Sequence, residues 1–206
     1  MRAPPRPDLD SMDRFVVVDG PGSVVVLLAR LLRAEGVRSV QAGVWAADSA
    51  DAEVRSGTEA PDLVILVRPG LVGPRLGEPW RRRRVPHLPI TTSGTRVVVG
   101  PWLTGDPEEA CLGCLAIGHS AVLPPGPAAV RPTEALVTTG AGMAAMVALA
   151  GLGERGGRAL PAGVSVEVHA PWPRVDHRLW SRDLDCPWHT QGPAALAVGH
   201  ALRTAR

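Results

Sequence analysis

Short apolar runs dominate the first third of the chain, each closed by a polar or glycine-rich break. Phe15 to Asp19 reads Phe-Val-Val-Val-Asp and stops at Gly20-Pro21-Gly22, which predicts a buried strand. From Ser23 the pattern changes. Val24, Val25, Leu27, Leu28, Leu31 and Leu32 recur at helical spacing, and Gly36 stands where a helix C-cap belongs. Ser39 to Trp45 predicts a second strand, Asp48 to Gly57 a short polar helix, and Leu63 to Val67 a third strand. Strand, helix, strand, helix, strand is the start of an α/β, doubly wound, mostly parallel sheet.

Prolines at 69, 74 and 79 break the next stretch, with a short helix expected over Pro79 to Arg84. His87 to Thr92 and Thr95 to Gly100 flank Ser93-Gly94 and read as a hairpin. Ala121 to Pro132 is an expected exposed connection. Thr133 to Leu152 is helical in pattern, and Thr139, Gly140 and Gly142 within it imply close packing against a neighbouring helix or subunit. Gly163 to His169 alternates, placing Val164, Val166 and Val168 on a core face, and Pro193 to Arg203 reads as a short helix. Residues 1–13 are expected to be a flexible segment, and residues 14–206 a single domain.

Composition narrows the chemistry. The 22 basic residues are all Arg, so no Schiff-base or phosphate-binding lysine exists. A net charge of +2 gives no sign of nucleic-acid binding. The run Arg81 to Arg84 reads as a solvated face, with an acidic peptide or phosphate as the alternative. The first thirteen residues lack the apolar stretch of a signal peptide. No apolar run reaches the ~20 residues of a membrane span, and a cytoplasmic protein is the default expectation.

The chain has three cysteines. Cys111-Leu-Gly-Cys114 is answered, far along the chain, by Cys186-Pro-Trp-His189. Two-residue spacers turn both donors of a pair toward one metal, and two such knuckles supply four sulfur or nitrogen donors, which suits tetrahedral zinc. Four protein donors leave no open position, so the expected site is structural and joins the middle of the chain to its C-terminal end. A redox pair at Cys111 and Cys114, or two buried apolar cysteines, is the alternative. His119 is a spare ligand should His189 turn away. The other polar groups near the knuckles, including His87, Asp176, His177 and Asp183, have no nucleophile beside them and read as surface residues.

Gly20 and Gly22 lie where a dinucleotide-binding loop belongs. The third glycine of that fingerprint is replaced by Val25, and Pro21 removes an amide donor. Asp48 is the nearest acidic candidate for a ribose. The loop reads as degenerate, with ATP not expected.

Strand, glycine loop and helix, then His87-Leu-Pro, Val99-Gly-Pro101 and Cys111-Leu-Gly-Cys114-Leu115, resemble the ThiF/MoeB-like cyclodehydratase partner subunit of thiazole/oxazole-modified microcin (bacteriocin) biosynthesis. The similarity covers roughly Phe15 to His189. It implies a Rossmann-like fold and a scaffold that holds a precursor peptide and docks a YcaO-type enzyme, the partner that uses ATP to form azolines. It also implies a homodimer. The family's closing knuckle ends in Cys where this chain has His189. Only fourteen residues precede Phe15, so leader recognition is expected to need a separate leader-binding protein. An adenylating enzyme acting on a peptide or protein C-terminus, a dinucleotide-dependent oxidoreductase and a thiol redox protein are the competing classes. Thr190 to Arg206 has no assigned role.

Overall fold

The computed structural model describes residues 13–122, 131–153 and 163–190. The N-terminal segment, most of the Ala121 to Pro132 connection and the expected helix Pro193 to Arg203 lie outside the described residues. Thirteen elements follow in order: β1 (Phe15–Asp19), α1 (Ser23–Ala34), β2 (Ser39–Gly43), α2 (Ala46–Arg55), β3 (Leu63–Pro69), α3 (Pro74–Arg83), β4 (His87–Ser93), β5 (Arg96–Val99), α4 (Leu112–Val122), α5 (Glu134–Gly153), β6 (Val164–His169), β7 (Arg174–Leu179) and α6 (Pro187–Thr190). They build one seven-stranded sheet in the order β2-β1-β3-β4-β5-β6-β7. The first four strands of that order are parallel, as the sequence pattern predicts, and β5, β6 and β7 extend the sheet antiparallel.

Alternation in the strands divides the core. Val16 and Val18, with Leu63, Ile65, Leu88 and Ile90, face α1 and α5, whereas Val17, Val64 and Leu66 face α2, α3 and α4. Both faces are covered, which is why these strands read as unbroken apolar runs.

Several boundaries differ from the sequence reading for local reasons. β2 ends at Gly43 (φ 146°), and Trp45 takes a left-handed φ of 71° before α2 begins at Ala46. α3 starts at Pro74, five residues earlier than expected, because proline at a first helical position is already set in φ and has no amide to lose. β7 was not expected at all. Its outward positions are polar or unburied, so the alternation in Arg174-Val-Asp-His-Arg-Leu179 carries no apolar signal. The Arg81 to Arg84 run is largely consumed internally: Arg81 grips Glu78 with two hydrogen bonds of 2.9 and 3.0 Å, and Arg83 pairs with Asp51 at 2.7 Å.

The small residues of α5 have an intramolecular cause. A Cβ on Gly140 would lie 2.6 Å from Val97 Cγ1, and one on Gly151 would lie 2.3 Å from the Trp102 ring, so the helix rests directly on β5 and on Trp102. Gly142 meets nothing within 4 Å. By length and composition alone α5 passes as a membrane-crossing helix (mean hydropathy 1.8), because its Gly and Thr interrupt the apolar run without making it polar, as the buried helix of a folded core also can. Half of that stretch is buried inside the fold.

Candidate metal centre and the glycine-loop crevice

The two knuckles meet. Cys111 stands just before α4, Cys114 lies in its first turn, Cys186 stands just before α6 and His189 lies within it. The first knuckle is therefore the start of a helix and not a loop, closed by Leu115 N–H donating to the Cys111 carbonyl at 3.1 Å. Cys111 Sγ is 3.8 Å from Cys114 Sγ and 3.7 Å from Cys186 Sγ, and Cys114 Sγ is 3.3 Å from His189 Nε2. All four donor atoms lie within 4.8 Å of one another. A tetrahedral ion with metal–sulfur bonds of ~2.3 Å sets its sulfurs about 3.8 Å apart and a sulfur and nitrogen about 3.5 Å apart. The sulfur spacing matches, and disulfides, with sulfurs ~2.0 Å apart, do not. This cluster can hold a metal ion.

The surroundings fit tightly. The three cysteines are buried. A Cβ on Gly113 would sit 2.4 Å from Trp188 Cδ1 and 2.8 Å from Cys186 Sγ, so the spacer must be glycine for α6 to close on α4. Asp183 N–H points at Cys114 Sγ from 3.4 Å. The hydrogen bond from Cys111, with the Asp183 amide assisting against burial, pushes the Cys114 thiol down to about 4. The same bond and burial hold Cys111 above the ordinary thiol value, and burial raises Cys186. Three thiolates cannot coexist here without a cation between them. His189 Nδ1 is buried with no hydrogen-bond partner among the described residues. The side chain of His119 lies outside what is described.

A small cavity of about 10 Å³ adjoins the cluster, bounded by Glu78, Arg81, His87, Cys111 and Trp188; that is room for roughly one water. Arg81 also feels Cys111 and Cys186, which add to the Glu78 hydrogen bond in raising its pKa. His87, read from sequence as a surface group, is fully buried instead. Its Nδ1 is 3.1 Å from the Val85 carbonyl, and burial lowers its pKa to about 4.

At the carboxyl end of the parallel strands the glycine loop serves packing. Gly20 has φ 148°, and a Cβ there would lie 2.1 Å from the Val67 carbonyl oxygen on β3. Gly22 (φ 90°) is the N-cap of α1. Asp48 is exposed in the first turn of α2. The sequence reading missed the acidic group that does occupy this crevice. Asp19, at the end of β1 and 1% exposed, accepts from Ala47 N–H at 3.2 Å and is ion-paired with Arg68, which also donates to the Asp19 carbonyl at 3.0 Å. The acid-before-glycine pair Asp19-Gly20 was the available signal.

The sheet has four parallel strands extended by three antiparallel ones, with the two Cys/His knuckles brought together beside it. Solved structures share this fold. A heterocyclase described as "in complex with substrate and Cofactor" superposes with TM-score 0.66 at 16% identity over 87% of this chain. The heterocyclase TruD gives 0.63 at 19% identity over 87%. E. coli MccB with succinimide gives 0.62 at 12% identity, covering 89% of this chain and 68% of MccB. The chain spans only 26% and 28% of the two heterocyclases. No protein-family model and no curated protein matches the sequence.

Proposed function

We propose that this chain is a zinc-stapled, ThiF-like scaffold in azoline-forming modification of ribosomal peptides, where it binds precursor peptide, docks a YcaO-type enzyme, or both. One observation carries the reading: a Cys3His cluster with its three cysteines buried and its sulfurs at tetrahedral spacing, on the fold shared with two heterocyclases. Cys111, Cys114, Cys186 and His189 would hold the ion. With four protein donors the ion supplies no open coordination position, so its chemistry is structural. The Asp19–Arg68 pair and the packing role of Gly20 favour a partner role over nucleotide chemistry. Co-purification with a YcaO-type enzyme, and loss of water from a precursor peptide only when both proteins are present, is the expected result. Failure of the chain to alter either binding or dehydration refutes the scaffold role.

A second reading has a specific observation behind it. This chain spans 68% of MccB, whose structure with ATP superposes with TM-score 0.61, against 26% and 28% of the heterocyclases. ATP–pyrophosphate exchange by this protein would favour an adenylating enzyme over a scaffold.

A further inference from the structure

We infer that the outer edge of β7 is a docking strand for an extended peptide in which acidic and apolar residues alternate, with one carboxylate seated between Arg178 and Arg182. This deepens the peptide-binding role proposed above and rests on it.

The sheet order ends at β7, and among the described residues no strand pairs with its outer edge. Natural edges are usually blunted by charge, proline or a covering element, because their open N–H and C=O groups recruit other strands. Here the two faces of the edge differ. Pairing with β6 sets Val175 opposite Val168 and Leu179 opposite Val164, on the α5 side of the sheet. Val175 and Leu179 are nevertheless 52% and 74% exposed. The other face carries Arg174, Asp176 and Arg178, which lie opposite His169, Glu167 and Ser165. Arg174 and Asp176 pair with each other at 2.7 Å, so a strand added alongside would need apolar residues on one face and an acid beside Arg178 on the other.

The second observation is a cavity of about 260 Å³ at the end of β7, on the metal side, lined in part by Arg178, Trp180, Ser181, Arg182 and Cys114. Arg178 is held over the Trp180 ring at 4.7 Å, and that ring is fixed by its Nε1–H donating to Ser165 Oγ at 2.9 Å. The guanidinium is therefore pre-positioned. Its ion pair with Glu167 is long, 3.8 Å, whereas Arg96 holds the same carboxylate at 3.3 Å. Arg182 donates through Nη1 to Glu108, which is 80% exposed, but its Nε is buried with no partner among the described residues. A carboxylate in this cavity satisfies that Nε–H and gains a second, stacked guanidinium. Asp183 also lines the cavity, but its Oδ1 already accepts from Asp185 N–H at 2.9 Å.

The test uses the full, metal-loaded protein and a fluorescein-labelled decapeptide of alternating Asp and Val, read by anisotropy at low salt. The Asn-Val counterpart, and an Asp-Val peptide N-methylated at alternate amides, are the comparisons. Arg178→Gln and Arg182→Gln should each weaken Asp-Val binding roughly tenfold, as expected for losing a hydrogen bond to a charged group. Asn-Val and the N-methylated peptide should bind at least as weakly, and Arg75→Gln, on α3, should bind normally. Circular dichroism verifies that each variant is folded. Equal affinity for the Asp and Asn peptides, or full affinity in both cavity variants, overturns the carboxylate site. Full affinity of the N-methylated peptide overturns strand addition. Lost peptide binding with intact YcaO co-purification sinks this inference alone, while peptide binding without co-purification supports the site and removes the docking role.

Discussion

Cys186→Ser is the most informative perturbation of the candidate metal centre. Cys186 is fully buried and lies 75 residues from Cys111, its neighbour in the cluster. A bound ion therefore closes a loop of that length in the unfolded chain. The chain-entropy expression for a cross-link of this span gives about 4 kcal/mol, comparable to a long-range disulfide. For a chain of this size each kcal/mol moves the melting midpoint by about 2–4 °C, so loss of the staple should lower it by roughly 10 °C. The effect should also be local. The cluster belongs to the core between the sheet and α2, α3 and α4, while the opposite core, with α1 and α5, contains none of the ligands. Thermal denaturation followed by circular dichroism, with metal content by mass spectrometry and hydrogen exchange by peptide, checks both parts. Exchange should rise in α4, α6 and the strand-end segment before α6, and stay low in β1 and β3. Zinc-free protein with an unchanged midpoint, or uniform loss of protection in Cys186→Ser, would refute the reasoning.

Gly113→Ala should drive Trp188 away from α4, since the new Cβ meets its ring at 2.4 Å; a metal affinity lowered about 10–100-fold, read by chelator competition, is expected. Gly20→Ala should destabilise by about 2–3 kcal/mol in urea unfolding, because the Cβ overlaps the Val67 carbonyl and φ is unfavourable for alanine; adding ATP should not restore it. His87 should titrate by NMR at about 4, with Arg81 and Glu78 the charged groups facing it. Its folded value is depressed below the ordinary 6.5, so the unfolded state binds more protons between these values. Stability should therefore fall as pH drops through that window, and titration near 6.5 would refute its burial.

How much of this was legible depends on where each signal lies. β1, β3 and α1 are buried on their full width or along one stripe, and their apolar periodicity predicts them directly. That Cys111, Cys114, Cys186 and His189 meet in one cluster was legible from spacing, because paired two-residue spacers suit donors turned toward one point. β7 was not, since an edge strand with alternating Arg, Asp and His has no buried partner to dictate apolar residues. Asp19 was hidden in a hydrophobic run; only the crossing of β3 beside β1 brings Arg68 to it. The glycines were ambiguous for the same reason. Pro21 argues against a phosphate, but nothing in Gly20-Pro-Gly22 shows that the space above the backbone belongs to the Val67 carbonyl. His87 misleads in the opposite sense, because a polar residue beside proline reads as surface until β4 is found in the sheet interior.

The position of the Cys3His cluster follows from how the sheet changes character. On the metal side of β5 to β7 the strands present Arg96, Glu167, His169 and Arg178 to one another, so this half offers little apolar surface for a covering segment. The chain leaving β7 must still cross back over that face to reach α4. Its apolar anchors are Trp180, Cys186 and the partly buried Trp188. Three such residues bury too little area to order a ten-residue crossing, whose backbone entropy alone is about 1–2 kcal/mol per residue. Directional bonds from two knuckles to one ion would need almost no area and would fix both ends of the crossing. The polar face that this leaves uncovered is where Arg178 and Arg182 stand beside an open cavity. A metal substituting for hydrophobic burial here would leave those cations accessible, which a conventional apolar core in the same place would not.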